Sequence, residues 1–571
     1  MDEEPTSDSE STTVERAEAD GHGTEANGDV IILGLDGVPP ELVDRGIDAG
    51  RLPNFERMRA EGADGTTRST VPPLSMIAWS SFATGRNPGN HGIYNFMLKE
   101  AGEYGTNFVN ADTLREKSVP VWEYLDAEGK RSGVMNVMPG YPPCRTEGFH
   151  ISDNITTPST GDYAFPDQLR EDIESRVGEY DVDPYEGYDD GSNEENLRGL
   201  LDNFFEIEKK RIEVAKLLFE EYPCDYYSLV FSGPDNILHV LGHVLDGTHP
   251  KHDPRVAAKY EDKPLQLLEL YDELLGWVMD RMDDEDTLMV ISDHGHGPVY
   301  QTINLNSWLY NAGYLDLKSR PWTRLKQFGY NYVYDAVERV ASELNLFSKL
   351  KMGVARTNGD DTPGPDLAEL LTISRKDIDW SKTAAFTVAS GGQIYLNTRD
   401  HREGAIPDHQ YDEIRERLRD ELLAIEHPER GDRVIDSVLY GEDVYDDQYA
   451  DTRPDLVCMP APGYQIQYPQ TMKTKRVFAD PPKTGSHTSM NEMHGIFYAW
   501  GGPVQNDSGM TVDLTDFAPT AMSLLDVPVP EEMDGEIRAD VFEKEGERSR
   551  FDGKVQAKRA VRSVVDGIGA D

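Results

Sequence analysis

The stretch Val30-Ile31-Ile32-Leu33-Gly34-Leu35, closed by Asp36-Gly37, constrains the fold most. A nearly continuous apolar run has no polar face, as expected of a strand buried on both sides of a parallel sheet. The pattern recurs along the chain. Arg131 to Met138 reads as a strand that Pro139-Gly140-Tyr141-Pro142-Pro143 ends, and Asp225 to Phe231 reads as a third. A fourth, Thr287-Leu288-Met289-Val290-Ile291, ends in Ser292-Asp293-His294-Gly295. Helical patterns such as Asn203 to Glu221 and Leu265 to Met282 lie between the strands. Alternation of this kind predicts an α/β sheet with both faces covered by helices.

In open α/β sheets, ligands gather beyond the carboxyl ends of the strands. Polar residues that follow the apolar runs are therefore candidates for one site. Asp36 follows the first run, although a lone Asp there serves equally well as a helix cap or turn residue. Ser75 follows Pro72-Pro73-Leu74, where the prolines stop the chain and a helix begins. A hydroxyl beside free backbone N–H groups can become a stabilised alkoxide and can bind phosphoryl oxygens; the plain alternative is an N-cap serine. Asp235 and His239 share a helix face at i and i+4, so one cation can take both. His243, one turn on, fits a surface or supporting role better. Asp293-His294, at a strand end before glycines, is the most specific piece and reads as a metal site. His487, in the turn Thr484-Gly485-Ser486-His487, can reach such a site, whereas His494 directly precedes an apolar run and reads as a strand-start residue.

Charge narrows the function. The chain carries 105 Asp and Glu against 56 Lys and Arg, a formal charge of −49. This excludes a nucleic-acid binder working by bulk electrostatics, which needs a basic face. The cations divide into 35 Arg and 21 Lys. An acidic, Lys-poor surface keeps a protein hydrated in concentrated salt, where the Debye length of about 3 Å screens self-repulsion. The expectation is a salt-adapted, halophilic protein of haloarchaeal type. Cys144, Cys224 and Cys458 are odd in number and far apart, so they read as buried thiols in a reducing cell rather than a disulfide framework or zinc cluster. No run approaches the roughly 18 apolar residues of a transmembrane helix. Met1 to Asp29 holds ten acids and one Arg, which reads as a disordered acidic tail and not a signal peptide. A cytoplasmic location follows as an expectation.

Two stretches read as insertions. Tyr180 to Glu195, rich in Asp, Glu, Tyr and Gly, reads as a loop. Residues 317–385 place Arg320, Arg324, Lys326, Lys349 and Lys351 beside Trp322, Phe328, Tyr330, Tyr332 and Tyr334. This segment reads as a helical insertion packing its aromatics on the main domain, as a cap contacting an anionic substrate, or as a membrane-surface contact. Residues 543–571 form a charged C-terminal tail, read as a peripheral helix.

Together these pieces resemble the type I phosphodiesterase/nucleotide pyrophosphatase branch of the alkaline phosphatase superfamily, and within it the prokaryotic phosphohydrolase-or-phosphomutase members. The resemblance rests on Gly34-Leu35-Asp36-Gly37, Arg51-Leu52-Pro53-Asn54, Ser69 to Ser75, Thr84 to Ile93, Phe231 to Asp235, Ser292 to Gly295 and Gly485-Ser486-His487. It spans roughly residues 30–310 and 385–540. It implies an alkaline-phosphatase-like α/β sheet sandwiched between helices. The catalytic domain would run over 30–316 and 386–542, with 317–385 as an inserted cap-like segment.

By the same resemblance, Asp36, Ser75, Asp293 and His294 would hold one divalent metal. Asp235, His239 and His487 would hold a second, and zinc suits the mixed ligands with manganese as the alternative. Ser75 would attack phosphorus of a small phosphorylated substrate to form a phospho-enzyme, and water on the second metal would hydrolyse it. Many relatives use Thr where Ser75 stands. Asn95, after His91-Gly92-Ile93-Tyr94, matches the Asn with which the pyrophosphatases bind a phosphate oxygen, in a slightly shorter register. The Pro-Asn-His that often follows the pyrophosphatase nucleophile is absent. So is the x-Pro-x-Arg of sulfatases, since Ser75 runs into Met76-Ile77-Ala78-Trp79. The expected function is a metal-dependent phosphodiesterase or phosphomonoesterase. The alternatives are a phosphomutase with the same ligands, or a non-catalytic metal-binding relative.

Overall fold

The computed structural model describes residues 28–158, 161–180, 194–320, 323, 373–467, 476–551 and 553–569. The strands that build the site and its supports are, in chain order, β1 (Val30–Leu35), β2 (Ala63–Arg68), β3 (Ser132–Met135), β4 (Phe149–Ile151), β5 (Ala164–Phe165), β6 (Tyr226–Phe231), β7 (Thr287–Ile291) and β8 (Gly297–Asn304). They continue with β9 (Ala385–Thr387), β10 (Gln393–Leu396), β11 (Ile435–Tyr440), β12 (Leu456–Pro460), β13 (Gly485–Ser486), β14 (His494–Gly501) and β15 (Asp507–Asp513). The helices are α1 (Ser75–Thr84), α2 (Val121–Ala127), α3 (Glu194–Glu221), α4 (Gly233–Leu245), α5 (Lys263–Met279) and α6 (Lys554–Gly569).

Nine strands form the main sheet in the order β15-β2-β14-β7-β1-β6-β3-β4-β5. The five from β7 to β4 are parallel. Antiparallel β14 joins β7 to β2 on one flank, and β5 runs antiparallel to β4 on the other. Residues of β1 alternate between two cores. Ile31, Leu33 and Leu35 pack with α3, α4 and α5, while Val30 and Ile32 pack with Trp79 and Phe82 of α1. Both faces are covered, which is why the strand is apolar throughout; burying each such side chain is worth about 1.5–3 kcal/mol. The first and fourth strands fall on the residues read from the sequence. The second is trimmed to Ser132–Met135, and α3 begins earlier, at Glu194.

Register sets the site. Leu35 lies opposite Phe231, and Gly34 opposite Ile291. The chain therefore leaves β1, β6 and β7 at one level of the same sheet edge. A second, antiparallel sheet of order β9-β10-β12-β11 encloses a third core with Ile303, Leu305 and Leu309. Of residues 317–385, Leu317 bridges Ile378, and Ile378 and Trp380 enter this third core. Trp322 and the basic and aromatic residues from Arg324 to Lys351 lie outside the described residues, as do residues 1–27 of the acidic tail and 181–193 of the acidic loop.

Within the C-terminal stretch read from residue 543 onward, Lys554–Gly569 forms helix α6. It docks on α2 through Lys554–Glu128, Lys558–Asp126, Arg559–Glu123 and Arg562–Asp126 ion pairs. The three cysteines are unpaired and buried. No described helix is long and apolar enough to cross a membrane.

Candidate active site

Asp36 is the first residue beyond β1, and its backbone N–H donates to the Phe231 carbonyl at 3.0 Å. Its carboxylate is buried, and Trp79 Nε1 donates to Oδ2 at 3.1 Å. The chain then turns through Gly37, whose φ of 71° favours glycine. The Gly37 N–H donates to Asp293 Oδ1 at 3.2 Å, which couples the ends of β1 and β7. The Ser292 hydroxyl reinforces this turn by accepting the Val38 N–H at 2.9 Å and donating to the His294 carbonyl at 2.7 Å.

Ser75 is the first residue of α1, with Leu74 in the N-cap position, so the simple capping role does not apply. Every residue of α1 is buried, which holds the hydroxyl on a rigid support. Ser75 Oγ lies 3.0 Å from His294 Nε2. His294 Nδ1 lies 2.9 Å from the Gly295 carbonyl and so carries the proton. That leaves the Nε2 lone pair facing Ser75, with Asp293 Oδ2 at 3.1 Å and Asp36 Oδ1 at 3.7 Å.

Asp235 stands in the first turn of α4, directly after β6. His239 Nε2 lies 3.3 Å from Asp235 Oδ2, and its Nδ1 lies 2.7 Å from the Gly485 carbonyl. His487 Nδ1 lies 2.6 Å from the Pro73 carbonyl, with Nε2 3.7 Å from Asp235 Oδ1. Its ring stacks on that of His294 at 3.7 Å. All seven candidate positions singled out in the sequence thus meet in one cluster. They form groups of close ligand atoms: Asp36, Asp293 and His294; Asp235, His294 and His487; and Asp235, His239 and His296. His296 is the member that sequence reasoning missed. A histidine between two glycines carries no signal of its own, and only its spacing of two from His294 could have pointed to it.

Asn95 is buried near the second sheet. Its amide nitrogen donates to the Ser390 carbonyl at 2.5 Å and to Gln393 Oε1 at 2.6 Å, and its Oδ1 accepts the Phe96 N–H. His243 turns to Thr484 Oγ1 at 2.9 Å. His494 opens β14, exposed, in the strand-start position read for it.

The electrostatics favour cations. Burial, and then the charges of Asp293 and Asp235, push the Asp36 carboxyl well above its usual range. Burial and Asp235 do the same to Asp293. Burial would also raise Asp235, but His239, His487 and His296 around it hold it well below the usual value. Burial lowers His294 and His296 strongly, and takes His487 down to about 4, so these imidazoles are neutral and free to ligate. Asp36 Oδ1, Asp235 Oδ1, Asp293 Oδ2 and His296 Nε2 are buried with no hydrogen-bond partner among the described residues. Buried polar atoms ordinarily find partners, and three carboxylates so close repel one another. Divalent cations would answer both demands, so the donor set fits such ions.

The family model for type I phosphodiesterase / nucleotide pyrophosphatase matches residues 30–496. No curated protein sequence matches the chain. Among solved structures, phosphonoacetate hydrolase from Sinorhizobium meliloti 1021, in complex with phosphonoformate, aligns with a TM-score of 0.50 at 15% identity, covering 87% of this chain and 96% of the other. An inactive variant of murine ectonucleotide pyrophosphatase / phosphodiesterase 5, in complex with AMP, aligns with a TM-score of 0.45 at 14% identity, covering 88% and 95%. The fold is the expected alkaline-phosphatase-like one, and the family match runs from the start of β1 into β14, across every strand end that bears a candidate site residue. The chain belongs to the type I phosphodiesterase / nucleotide pyrophosphatase family of phosphoester hydrolases.

Proposed function

We propose that the protein hydrolyses phosphate diesters or monoesters with Ser75 as nucleophile and two divalent cations as cofactors. The observation that carries this reading is the position of Ser75 Oγ, 3.0 Å from His294 Nε2 at the start of a fully buried helix, among carboxylates with unpartnered oxygens. Asp36, Asp293, His294 and Ser75 would hold one ion, and Asp235, His239 and His487 the other. Zinc suits this mixture of nitrogen and oxygen donors, with manganese as the alternative. Bound there, the ions would supply a lowered hydroxyl pKa and charge neutralisation of an in-line displacement.

The chain's own groups do the rest. Ser75 Oγ loses its proton and attacks phosphorus, while the ester oxygen departs and takes up a proton as the free alcohol. The N–H groups of Ser75 and Met76 at the start of α1 would bind the phosphoryl oxygens, while that of Ile77 already donates to the Leu74 carbonyl. Water then attacks the same phosphorus, and the Ser75 oxygen leaves and regains its proton. Asn95 would bind a phosphate oxygen by exchanging one of its two protein acceptors, Ser390 or Gln393.

Two measurements test this. Ser75→Ala should abolish a trapped phospho-enzyme and lower kcat/KM by about 10³-fold or more, in keeping with loss of a nucleophile; turnover at the normal rate would overturn the assignment. In isotope-labelled water, hydrolysis places solvent oxygen in the released phosphate. Label confined to solvent while the phosphoryl group moves within the substrate would establish a phosphomutase instead.

A further inference from the structure

We infer that His296 is an additional protein ligand to the cation held by Asp235 and His239, making that site one carboxylate and three imidazoles; the inference rests on the two-cation reading above. His296 is the last residue of the β7–β8 connection. The next residue, Gly297, pairs with Ser486 of β13, so the ladder brings His296 and His487 to the same end of one strand pair. Helix α4, which carries Asp235 and His239, packs on β13 at Gly485. A Cβ on Gly485 would lie 2.2 Å from the Leu238 carbonyl oxygen and 2.7 Å from His296 Cε1. Glycine is what lets helix, strand and imidazole approach so closely.

The His296 side chain is 3% exposed, and its Nε2 lies 3.7 Å from Asp235 Oδ1. That is too long for a hydrogen bond, and Nε2 has no partner among the described residues. Its ring stands edge-on to His239 with centroids 4.8 Å apart. Nε2 and the ligand atoms of Asp235 and His239 lie within 4.8 Å of one another. A buried imidazole nitrogen aimed at two ligand atoms, and bonded to neither, is placed to share their ion.

The chemistry of the site changes accordingly. Three imidazoles favour zinc over manganese or magnesium, which prefer oxygen donors. The other site, with two carboxylates and a hydroxyl, stays richer in oxygen. The two ions would thus differ in affinity and in metal preference, with the Asp235 site the more selective for zinc.

The test is titration of metal-free protein with zinc and with manganese against a chromophoric chelator, and with cobalt followed by visible absorption. His296→Phe keeps a ring of similar size without the nitrogen, and His296→Asn removes the ring. Both should weaken zinc at one of two sites by about tenfold or more, with a smaller change for manganese, and should alter the spectrum of one of two bound cobalt ions. His243→Gln, on the same helix but bonded to Thr484, should change neither. Metal-free His296→Phe should unfold at the same temperature as the metal-free parent or higher, because an unpartnered nitrogen is gone; a marked loss of metal-free stability would point to a structural role and overturn the inference. If the parent binds two ions and both variants bind two with the parent's affinity and spectrum, His296 is no ligand and the two-cation reading stands. If the parent itself binds fewer than two, that reading fails and this one with it.

Discussion

Helix α1 carries Ser75 at one end, and Ser81 further along ties it to a buried histidine. His91 Nδ1 accepts the Ile93 N–H at 3.1 Å, and its Nε2 lies 3.0 Å from Ser81 Oγ. With Nδ1 occupied as an acceptor, the ring must be neutral. Burial, reinforced by Arg86, pushes it down to about 3. In the unfolded chain the same imidazole titrates near 6.5. The folded value is the depressed one, so between these limits the unfolded state takes up a proton that the folded state refuses. The contribution is complete above about pH 6.5 and declines as pH falls toward 3, by about 1.4 kcal/mol per pH unit. His91→Gln can keep a hydrogen bond to Ser81 without titrating. Urea unfolding at pH 7 and pH 5 should show a smaller loss of stability in the variant than in the parent; equal losses would refute the account. His150, also lowered to about 3 by burial, remains in both proteins and keeps the variant from becoming pH-independent.

At the scale of elements, α6 meets α2 through four ion pairs. Asp126 is 2% exposed and receives Lys558 at 3.2 Å and Arg562 at 2.7 Å. Glu123, nearly as buried, receives Arg559 but also Arg115 from its own neighbourhood. Replacing both Lys558 and Arg562 with Met would strip Asp126 of both cations while keeping α6 over it, and would leave it the Glu147 N–H. A carboxylate left buried without its counter-charge costs about 3 kcal/mol or more. The double variant should therefore lose stability by that order, read as a shift of the urea midpoint. Adding Asp126→Asn to the double variant should recover much of the loss, and no recovery would show that the two side chains act through packing rather than charge. The elements differ in how far the sequence announced them. β1 and β7 were legible to the residue because cover on both faces makes every position apolar. β2, Ala63-Asp64-Gly65-Thr66-Thr67-Arg68, has a mostly polar sequence and is a strand because β14 and β15 pair with it on either side. The second sheet was also illegible: β11 buries only Ile435 and Val438, so it offers no continuous apolar run. The site followed the same logic. Asp36 and Asp293-His294 were legible because they end apolar strands, whereas His296 acquires its neighbours only through the pairing of β8 with β13.

For the whole molecule the governing quantity is the net charge of −49. Acids outnumber cations nearly two to one, so most surface carboxylates cannot be paired, whatever the arrangement of the rest. At about 0.01 M salt the Debye length is about 30 Å, comparable to the radius of the molecule, and every surface acid repels every other. At about 0.1 M it is about 10 Å, and at about 1 M about 3 Å, short enough that only immediate neighbours interact. Repulsion of this kind opposes the compact state and also slows the approach of an anionic phosphate ester. Both the unfolding temperature and kcat/KM for a small anionic ester should therefore rise with KCl, steeply at first and then level off near about 1 M as screening saturates. The ion pairs on α6 run against this trend, but Glu123 and Asp126 are buried and so are screened less than the open surface. An excluded osmolyte separates charge from a general solvent effect, because sucrose strengthens burial without screening. If sucrose at equal osmolality reproduces the whole gain, or if stability is flat or falling in KCl, the acidic surface is not an adaptation to salt. If KCl stabilises well beyond sucrose and kcat/KM for an uncharged ester stays level while that for an anionic one climbs, screening of this molecule's own charge is the cause.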